Sequence, residues 1–144
     1  MFTRFWIPLV VLVAAVLPPV SASSGFRASC HTCNLYEDTR LQLRCKTRGG
    51  DWIESELDLN NCFVYDNGQL KSAGDVAGYH SSCFNCQYDL LSGEMYCLCA
   101  PDDLHFSDAE IDLNNYIGNN DGFAHCLDGK YGSALHSCGD FNRP

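Results

Sequence analysis

Ten cysteines and five histidines are the residues of this 144-residue chain that could support metal or thiol chemistry. The spacing Cys30-x-x-Cys33 returns as Cys83-x-x-Cys86, and histidines lie near such pairs, as they do in some zinc sites. A further pair, Cys97-x-Cys99, has poor spacing for zinc. Because the cysteines are even in number and dense, we expect disulfide bonds instead, with no metal and no cofactor.

Acidic residues and histidines could also form the general acid and base of a small hydrolase, for instance a glycosidase. The eighteen Asp and Glu residues are scattered, however, and neither G-x-S-x-G nor H-E-x-x-H occurs. His105 and His125 are expected to be exposed or to lie at strand ends. We therefore predict no catalytic residues, and a small secreted hydrolase is kept as the second alternative.

A third group of polar residues could bind hydroxyl groups without catalysis. Asn119-Asn120-Asp121 offers planar amide and carboxylate groups, each of which can contact two neighbouring hydroxyls of a sugar. Hairpin turns also favour Asn and Asp because these residues tolerate unusual backbone dihedrals. The residue types alone therefore leave a binding site and a simple turn both open.

These polar residues lie in an internal repeat. The segment Leu57–Asn61, with the sequence LDLNN, returns 54 positions later as Ile111–Asn115, IDLNN, and the copies are followed by Asn67-Gly68 and Asp121-Gly122. Two aliphatic side chains separated by one polar residue share one face of a strand. Paired Asn residues favour a turn, and Asn-Gly or Asp-Gly favours a type I′ hairpin. Each copy of this repeated segment thus predicts a strand, a turn and a hairpin.

Further strands follow from the same kind of pattern. Leu41–Cys45 alternates apolar and polar residues and predicts a half-buried strand, whose counterpart is Met95–Cys99. Trp52-Ile53 opens the strand that ends in the repeated segment. Repeat 1 then spans about residues 28–74 and repeat 2 about residues 79–126, each with three strands, a hairpin and no helix longer than a turn. The join between them is too short to separate two domains, so the copies must pack together.

Residues 1–22 have the features of a signal peptide: Arg4, then an apolar run, then Val20-Ser21-Ala22 before the cleavage point. We expect a secreted, extracellular protein whose mature part, residues 23–144, is a single domain with a cysteine-containing tail at residues 127–144. Removal of Arg4 takes the formal net charge from −9 to −10. Such acidity argues against nucleic acid and membrane partners.

The duplicated pattern resembles the cyanovirin-N homology (CVNH) domain from Ala28 to about His125. Each copy opens with Ser-Cys, carries the strand Leu41–Cys45 or Met95–Cys99, and closes with LDLNN or IDLNN and a later Asn-Gly or Asp-Gly. The cysteine content and the signal peptide make the chain similar to secreted fungal members. The resemblance implies an all-β, pseudo-symmetric tandem repeat of two three-stranded sheets and two β-hairpins, with strand exchange between repeats. A hinge between the repeats permits either a monomer or a domain-swapped dimer.

The resemblance also implies non-catalytic binding of mannose-type glycans, free or on glycoproteins, at two sites. In the family, one site is formed by residues before the first cysteine, the polar run after the first-repeat L-x-x-x-C strand and the tip of the second hairpin. The residues of this chain at those positions are Ser29, Lys46, Thr47, Arg48, Asn119, Asn120 and Asp121. They are our candidate carbohydrate-binding residues.

The second site implied by the resemblance is less complete. Its residues in this chain are Ser82, Tyr65, Asp66, Asn67 and Asp102. The basic, donor-rich run of the family has become Ala100-Pro101-Asp102, which removes long hydrogen-bond donors. This change argues against a working second site. A protein that has kept the fold, lost sugar binding and become a disulfide-stapled interaction or effector protein is therefore the first alternative.

Alignment of the two repeats suggests how the cysteines pair. Cys30–Cys45 and Cys83–Cys99 would each join neighbouring strands of one sheet, and Cys86–Cys97 would join the same strands as the second of these. By elimination, the remaining pairs are Cys33–Cys62 and Cys126–Cys138.

Aromatic side chains can form platforms on which a sugar ring stacks. Tyr65, beside a hairpin turn, is the best stacking candidate, whereas alternate strand positions usually bury aromatic residues. We therefore expect four others to lie in the core: Trp52, Tyr79, Tyr88 and Tyr116.

Overall fold

A computed structural model describes residues 25–74, 76, 78–102, 105–127, 129 and 132–134. The predicted signal peptide and Cys138 lie outside these residues. Within them the chain forms eleven strands and four single 3-10 turns. No helix of this part of the chain is long and apolar enough to cross a membrane.

The strands occur in two similar series along the chain. The first series is β1 (Cys30–Tyr36), β2 (Arg40–Lys46), β3 (Trp52–Asp58), β4 (Phe63–Asp66) and β5 (Gln69–Ser72). The second is β6 (Cys83–Tyr88), β7 (Glu94–Asp102), β8 (His105–Asp112), β9 (Ile117–Asn120) and β10 (Phe123–Cys126), followed by a two-residue β11 (Ser133–Ala134). The 3-10 turns are Phe26–Ala28, Leu59–Asn61, Tyr79–Ser81 and Leu113–Asn115.

The strands form two antiparallel sheets and two hairpins, as predicted. Sheet 1 has the order β1-β2-β3 and sheet 2 the order β6-β7-β8, while β4–β5 and β9–β10 are separate hairpins. The short β11 of the tail adds a fourth strand beside β3, which the sequence did not predict. Apart from β11, every ladder within the described residues joins strands of one repeat, so no strand of one repeat is paired into a sheet of the other.

The two repeats are nevertheless interlocked, because each hairpin packs on the sheet of the other repeat. Hairpin β9–β10 lies against β3 of sheet 1, and hairpin β4–β5 lies against β8 of sheet 2. The Ala124 amide donates a hydrogen bond to Ser55 Oγ at 3.4 Å in the first contact. The Tyr65 and Ser107 hydroxyls are 2.9 Å apart in the second. The candidate site residues of different repeats are brought together by this arrangement.

Both hairpin turns have the backbone conformation that a type I′ turn requires. Asn67 and Gly68 have φ of 51° and 81°, and Asp121 and Gly122 have φ of 54° and 94°. At Gly122 a Cβ atom would also lie 2.9 Å from the Ile53 side chain. Glycine at this position therefore allows both the turn and the close approach of the hairpin to sheet 1.

A continuous core lies between the sheets and the hairpins. Alternation in β2 buries Leu41, Leu43 and Cys45 and leaves Arg44 exposed, as predicted for a half-buried strand. Equivalent positions of sheet 2 bury Met95, Cys97 and Cys99. The largest fully buried side chains of the core are Tyr79, Phe26, Phe63, Leu41, Leu43, Leu57, Leu59, Met95, Leu113 and Ile117.

The repeated segment ends in a 3-10 turn whose cap was not predicted. Asp58 accepts a hydrogen bond from the Asn60 amide, and Asp112 accepts one from the Asn114 amide, each at 2.9 Å. The Asn side chains are thereby free to reach the other repeat. Asn60 Oδ1 accepts from the His80 amide at 2.9 Å, and Asn114 Oδ1 accepts from the Arg27 amide at 3.3 Å.

Two predictions about aromatic and histidine burial are wrong. Trp52 was expected in the core but is 40% exposed, because the core-facing residues of β3 are Ser55 and Leu57, which differ from it by an odd number of positions. His125 was expected to be exposed or at a strand end but is buried, because β10 packs on sheet 1 and is also contacted by the tail. The Gly132 amide donates to the Ala124 carbonyl at 2.8 Å. Tyr79 is fully buried, while Tyr88 and Tyr116 are partly buried against the core.

The structure contains three of the predicted disulfides, namely Cys30–Cys45, Cys83–Cys99 and Cys86–Cys97. The two pairs assigned by elimination, Cys33–Cys62 and Cys126–Cys138, are wrong because Cys62 is bonded to Cys126. The Cα atoms of these two residues are 5.6 Å apart, since the end of the first 3-10 turn of the repeated segment meets the end of β10. Cys33 is also disulfide-bonded. The partner of Cys62 is decided by the contact between repeat 1 and the hairpin of repeat 2, which brings two residues 64 apart in the sequence together.

Peptide mapping without reduction should recover a cross-linked fragment that contains Cys62 and Cys126. Cys62→Ser with Cys126→Ser should leave the three sheet bridges intact and lower the free energy of unfolding by about 4 kcal/mol, because the bridge closes a loop between residues 64 apart. Urea unfolding measures this loss. Recovery of a Cys33–Cys62 fragment would contradict the structure.

Tyr79 provides a test of the core through pH. Its hydroxyl donates to the Asp38 carbonyl at 2.5 Å, and burial, followed by the charges of Asp58 and Asp38, raises the pKa of Tyr79. A raised folded-state pKa stabilises the fold below the unfolded pKa of about 10 and this stabilisation is lost as the pH rises above it. Tyr79→Phe should therefore lower the free energy of unfolding by about 1 kcal/mol at neutral pH and should lose less stability than the wild type on alkalinisation. Urea unfolding against pH tests both, with exposed Tyr36→Phe as the control.

Candidate functional site

The candidate site lies where the tip of hairpin β9–β10 meets the end of sheet 1. Asn119 makes the central contacts: its Nδ2 donates to Ser29 Oγ at 3.0 Å and to the Lys46 carbonyl at 2.8 Å. Its Oδ1 accepts from the Gly122 amide at 2.8 Å. One amide side chain thus fixes the hairpin turn itself and joins it to two segments of repeat 1.

A second set of hydrogen bonds fixes the turn between β2 and β3. Asp121 Oδ1 accepts from the Arg48 amide at 2.8 Å, which connects the hairpin tip to this turn. Inside the turn, the Thr47 amide donates to the Asp51 carbonyl at 2.7 Å and the Asp51 amide donates to Thr47 Oγ1 at 3.0 Å. The backbone that carries Arg48 is therefore held from both sides.

The structure brings the predicted residues together where the tip of hairpin β9–β10 meets the end of sheet 1, a contact that we call the β9–β10 junction. Ser29, Thr47, Arg48, Asn119 and Asp121 are linked through the contacts above, and half-buried Asn120 lies between two of them in the chain. Lys46 behaves differently, because only its backbone carbonyl contacts the hairpin.

The side chain of Lys46 lies on the exposed face of sheet 1, two residues from exposed Arg44. Among the described residues, the polar groups of the junction that take no part in these hydrogen bonds are the Arg48 guanidinium, the Asn120 amide and the second carboxylate oxygen of Asp121. Together they supply donors and acceptors on a fixed frame, which suits recognition of hydroxyl groups.

The second candidate site has a similar backbone frame and different side chains. The Ala100 amide donates to the Ser82 carbonyl at 2.7 Å, as the Lys46 amide does to the Ser29 carbonyl at 2.8 Å. Tyr65 occupies the position equivalent to Asn119, and its hydroxyl contacts Ser107 rather than the start of the repeat.

The carboxylate at the tip of hairpin β4–β5 is engaged within its own hairpin. Asp66 Oδ2 accepts from Lys71 Nζ at 2.9 Å, and this contact lowers the pKa of Asp66. Asn67, next in the turn, has the φ of 51° noted above, and the Asp102 side chain lies outside the described residues. Of the predicted members of this site, Tyr65 and Asp66 are thus turned toward structural partners.

An acidic groove of about 510 Å³ lies between hairpin β4–β5 and sheet 2. It is lined by Glu94, Asp108, Glu110 and Asp112, together with Tyr96 and Tyr116. Asp112 is occupied in capping its own turn, and Glu94 accepts a hydrogen bond from the Tyr96 hydroxyl. Within the described residues no group of three or more His, Cys, Asp or Glu side chains is arranged to hold a metal ion.

An exposed aromatic pair beside the candidate site was missed by the sequence analysis. The His31 and Trp52 rings are stacked with centroids 5.0 Å apart and an interplanar angle of 24°. Their counterparts in repeat 2, Phe84 and Phe106, also touch, edge to face at 5.9 Å. Alignment of the repeats could have revealed these pairs. A shift of 53 positions relates His31 to Phe84 and a shift of 54 relates Trp52 to Phe106, so both repeats have aromatic rings at the same two positions.

Comparison with known proteins agrees with this architecture. A family model for the CVNH domain matches residues 26–123. The chain belongs to the CVNH family. No curated protein matches the sequence of this CVNH chain.

Solved structures share the fold of this CVNH protein. GzCVNH from Gibberella zeae is 24% identical, with a TM-score of 0.64 over 73% of this chain and 99% of that chain. The MoCVNH3 variant Mo0v, solved in complex with (N-GlcNAc)4, is 16% identical, with a TM-score of 0.61 over 70% of this chain and 95% of that chain. Microvirin, solved in complex with mannobiose, is 24% identical, with a TM-score of 0.58 over 69% of this chain and 94% of that chain.

Asn119→Ala should detach the hairpin tip of this CVNH domain from sheet 1. It removes three hydrogen bonds and should lower the free energy of unfolding by about 2 kcal/mol, whereas Asn120→Ala should change it by less than about 0.5 kcal/mol. Urea unfolding gives both values, and amide exchange at Gly122 reports the local loosening. Equal stability of the two variants would contradict the positioning role of Asn119.

Proposed function

We propose that this CVNH protein is a secreted, non-catalytic carbohydrate-binding protein that recognises mannose-type or related glycans at the β9–β10 junction. The observation that carries the proposal is the frame made by Asn119 and Asp121, which fixes the backbone of Arg48 and the hairpin turn that carries Asn120 before any ligand arrives. A frame fixed in advance lowers the entropy lost on binding. Polar side chains on such a frame can match the hydroxyl pattern of a sugar.

The fold family supports the same conclusion. The structures of Mo0v with (N-GlcNAc)4 and of microvirin with mannobiose are complexes of CVNH-fold proteins with saccharides. Oligosaccharides of these two kinds are therefore the first ligands to test. The disulfide bonds also suit an extracellular protein, since such bonds persist in an oxidising compartment.

We place the working site in the second hairpin rather than the first. In the first hairpin, Asp66 is paired with Lys71 and Tyr65 with Ser107, and in the sequence Asp102 stands in place of Arg48. The side chains there have fewer polar groups directed to a ligand.

One observation favours an interaction protein as the second candidate function. Sheet 2 and its turn expose four apolar side chains, namely Phe84, Leu90, Leu91 and Phe106. Phe84 and Phe106 touch on the sheet, and Leu90 and Leu91 lie in the turn between β6 and β7. Exposed apolar surface is typical of protein contacts. A role as an interaction protein would be favoured if the folded protein bound no glycan.

A glycan array with the full chain tests the proposal. We expect binding to manno-oligosaccharides or N-acetylglucosamine oligomers, weakened at least about tenfold by Arg48→Ala or Asn120→Ala, because hydrogen bonds to charged or amide groups are lost. Asp66→Ala changes the equivalent position of the first hairpin and serves as the matched control, with binding unchanged.

Three outcomes would overturn the proposal. Silence of the folded wild type across the array would favour the interaction protein. Loss of binding in Asp66→Ala alone would move the site to the first hairpin. Hydrolysis of a chromogenic glycoside, abolished by one carboxylate substitution, would make the protein an enzyme.

A further inference from the structure

The exposed face of sheet 1 carries a cluster of four side chains next to the candidate site. His31 is the cross-strand partner of Arg44, and Trp52 is the cross-strand partner of Lys46. All four lie on the face opposite the core, because they alternate with the buried residues of their strands. We call His31, Arg44, Lys46 and Trp52 the aromatic platform.

The Trp52 ring is held in place by its neighbours although it remains accessible. It stacks on His31 across β2, and the Arg44 guanidinium lies 6.0 Å from its centroid. The Trp52 residue is 40% exposed. An aromatic surface that is fixed before binding loses little side-chain entropy when a ligand stacks on it.

The platform is continuous with the candidate site through the turn between β2 and β3. Lys46 belongs to both, since its carbonyl accepts from Asn119 while its side chain lies on the platform face. Trp52 follows Asp51, whose backbone closes the turn on Thr47. The site and the platform therefore occupy the two sides of one rigid turn.

The chemistry of the platform matches one side of a pyranose ring. The aliphatic C–H groups of a sugar carry partial positive charge and stack on the negative face of an aromatic ring, while its hydroxyls point outward. Lys46 and Arg44 offer donors at the rim, and exposed Asp51 offers an acceptor. Three of the nine Lys and Arg residues of this acidic chain, Arg44, Lys46 and Arg48, lie within five positions here.

The equivalent position of sheet 2 lacks these features. Phe84 and Phe106 meet edge to face with an interplanar angle of 90°. Leu98 stands in place of Arg44 and Ala100 in place of Lys46. The donors of Arg44 and Lys46 are thus missing at the equivalent positions 98 and 100, and the second pair provides a natural control.

We propose that Trp52 forms a stacking subsite for a further sugar ring of an oligosaccharide whose end is held at the β9–β10 junction. The inference rests on the proposed function and extends it, because it makes the preferred ligand a glycan long enough to pass over the β2–β3 turn. His31 and Arg44 act as positioning residues that hold the indole ring.

Chain-length dependence of binding tests the subsite. Titrations of the full chain would use manno-oligosaccharides and N-acetylglucosamine oligomers, each with two and with four sugar residues. We expect the wild type to bind the tetrasaccharide more tightly. Trp52→Ala should weaken tetrasaccharide binding about 3- to 10-fold and leave disaccharide binding unchanged, with Trp52→Phe intermediate and Phe106→Ala equal to the wild type.

Tryptophan fluorescence gives an independent readout. The chain has two tryptophans, so the difference between the wild type and Trp52→Phe isolates the signal of Trp52. This signal should change on adding the tetrasaccharide and not the disaccharide.

The outcomes separate the two proposals. Absence of binding to every oligosaccharide by the folded wild type would overturn the proposed function and the subsite together. Binding that depends on Arg48 and Asn120 but is unaffected by Trp52→Ala would overturn the subsite alone. Equal weakening of disaccharide and tetrasaccharide by Trp52→Ala would also overturn it, because Trp52 would then act on the junction itself.

Discussion

The fold depends on a short polar exchange that occurs twice, between the repeated segment and the start of the other repeat. The Asp58 carboxylate accepts from the Asn60 amide within the 3-10 turn, and the Asn60 side chain accepts from the His80 amide. In repeat 2 the Asp112 carboxylate likewise accepts from the Asn114 amide. The backbone carbonyl of Asn114 also accepts from the Gly25 amide at 2.7 Å. Because these bonds join the turn before the hairpin of one repeat to the beginning of the other repeat, they fix the relative position of the sheets. The hairpins that follow are then directed onto the opposite sheet.

Duplication of this frame allows the two ends of the molecule to differ without loss of the fold. The backbone bond between Lys46 and Ser29 is repeated between Ala100 and Ser82, so the main chain does not depend on the side chains that change. Tyr65 can stand where the second repeat has Asn119 because its hydroxyl finds Ser107 instead of the chain start. The same hairpin position can therefore hold an amide that joins the hairpin to sheet 1 at one end and a tyrosine that contacts sheet 2 at the other.

Much of the fold follows from patterns that are local in the sequence. The alternation at Leu41–Cys45 and the Asp-Gly turn at Asp121 predict strands and hairpins, because side-chain direction and positive φ are decided within a few residues. Alignment of the repeats with a known family then places Asn119 near Ser29. Burial of Trp52 was predicted wrongly because aromatic residues usually enter the core, whereas here its strand parity directs it outward. The β11 strand and the partner of Cys62 could not be predicted, since both depend on contacts between segments far apart in the chain.

The bridge between Cys62 and Cys126 links the two repeats covalently. It closes a ring that contains the whole of sheet 2, because it joins residues on either side of that sheet in the sequence. Once this ring has closed within one chain, sheet 2 cannot leave and be replaced by that of a neighbouring copy without breaking a covalent bond. Exchange of sheet 2 between copies would have to precede oxidation of Cys62 and Cys126. In a dimer formed in that way, the same bond would join the two chains covalently, so the dimer would not dissociate on dilution. An early bond would thus favour a single chain, and exchange before the bond forms would give a covalently linked pair.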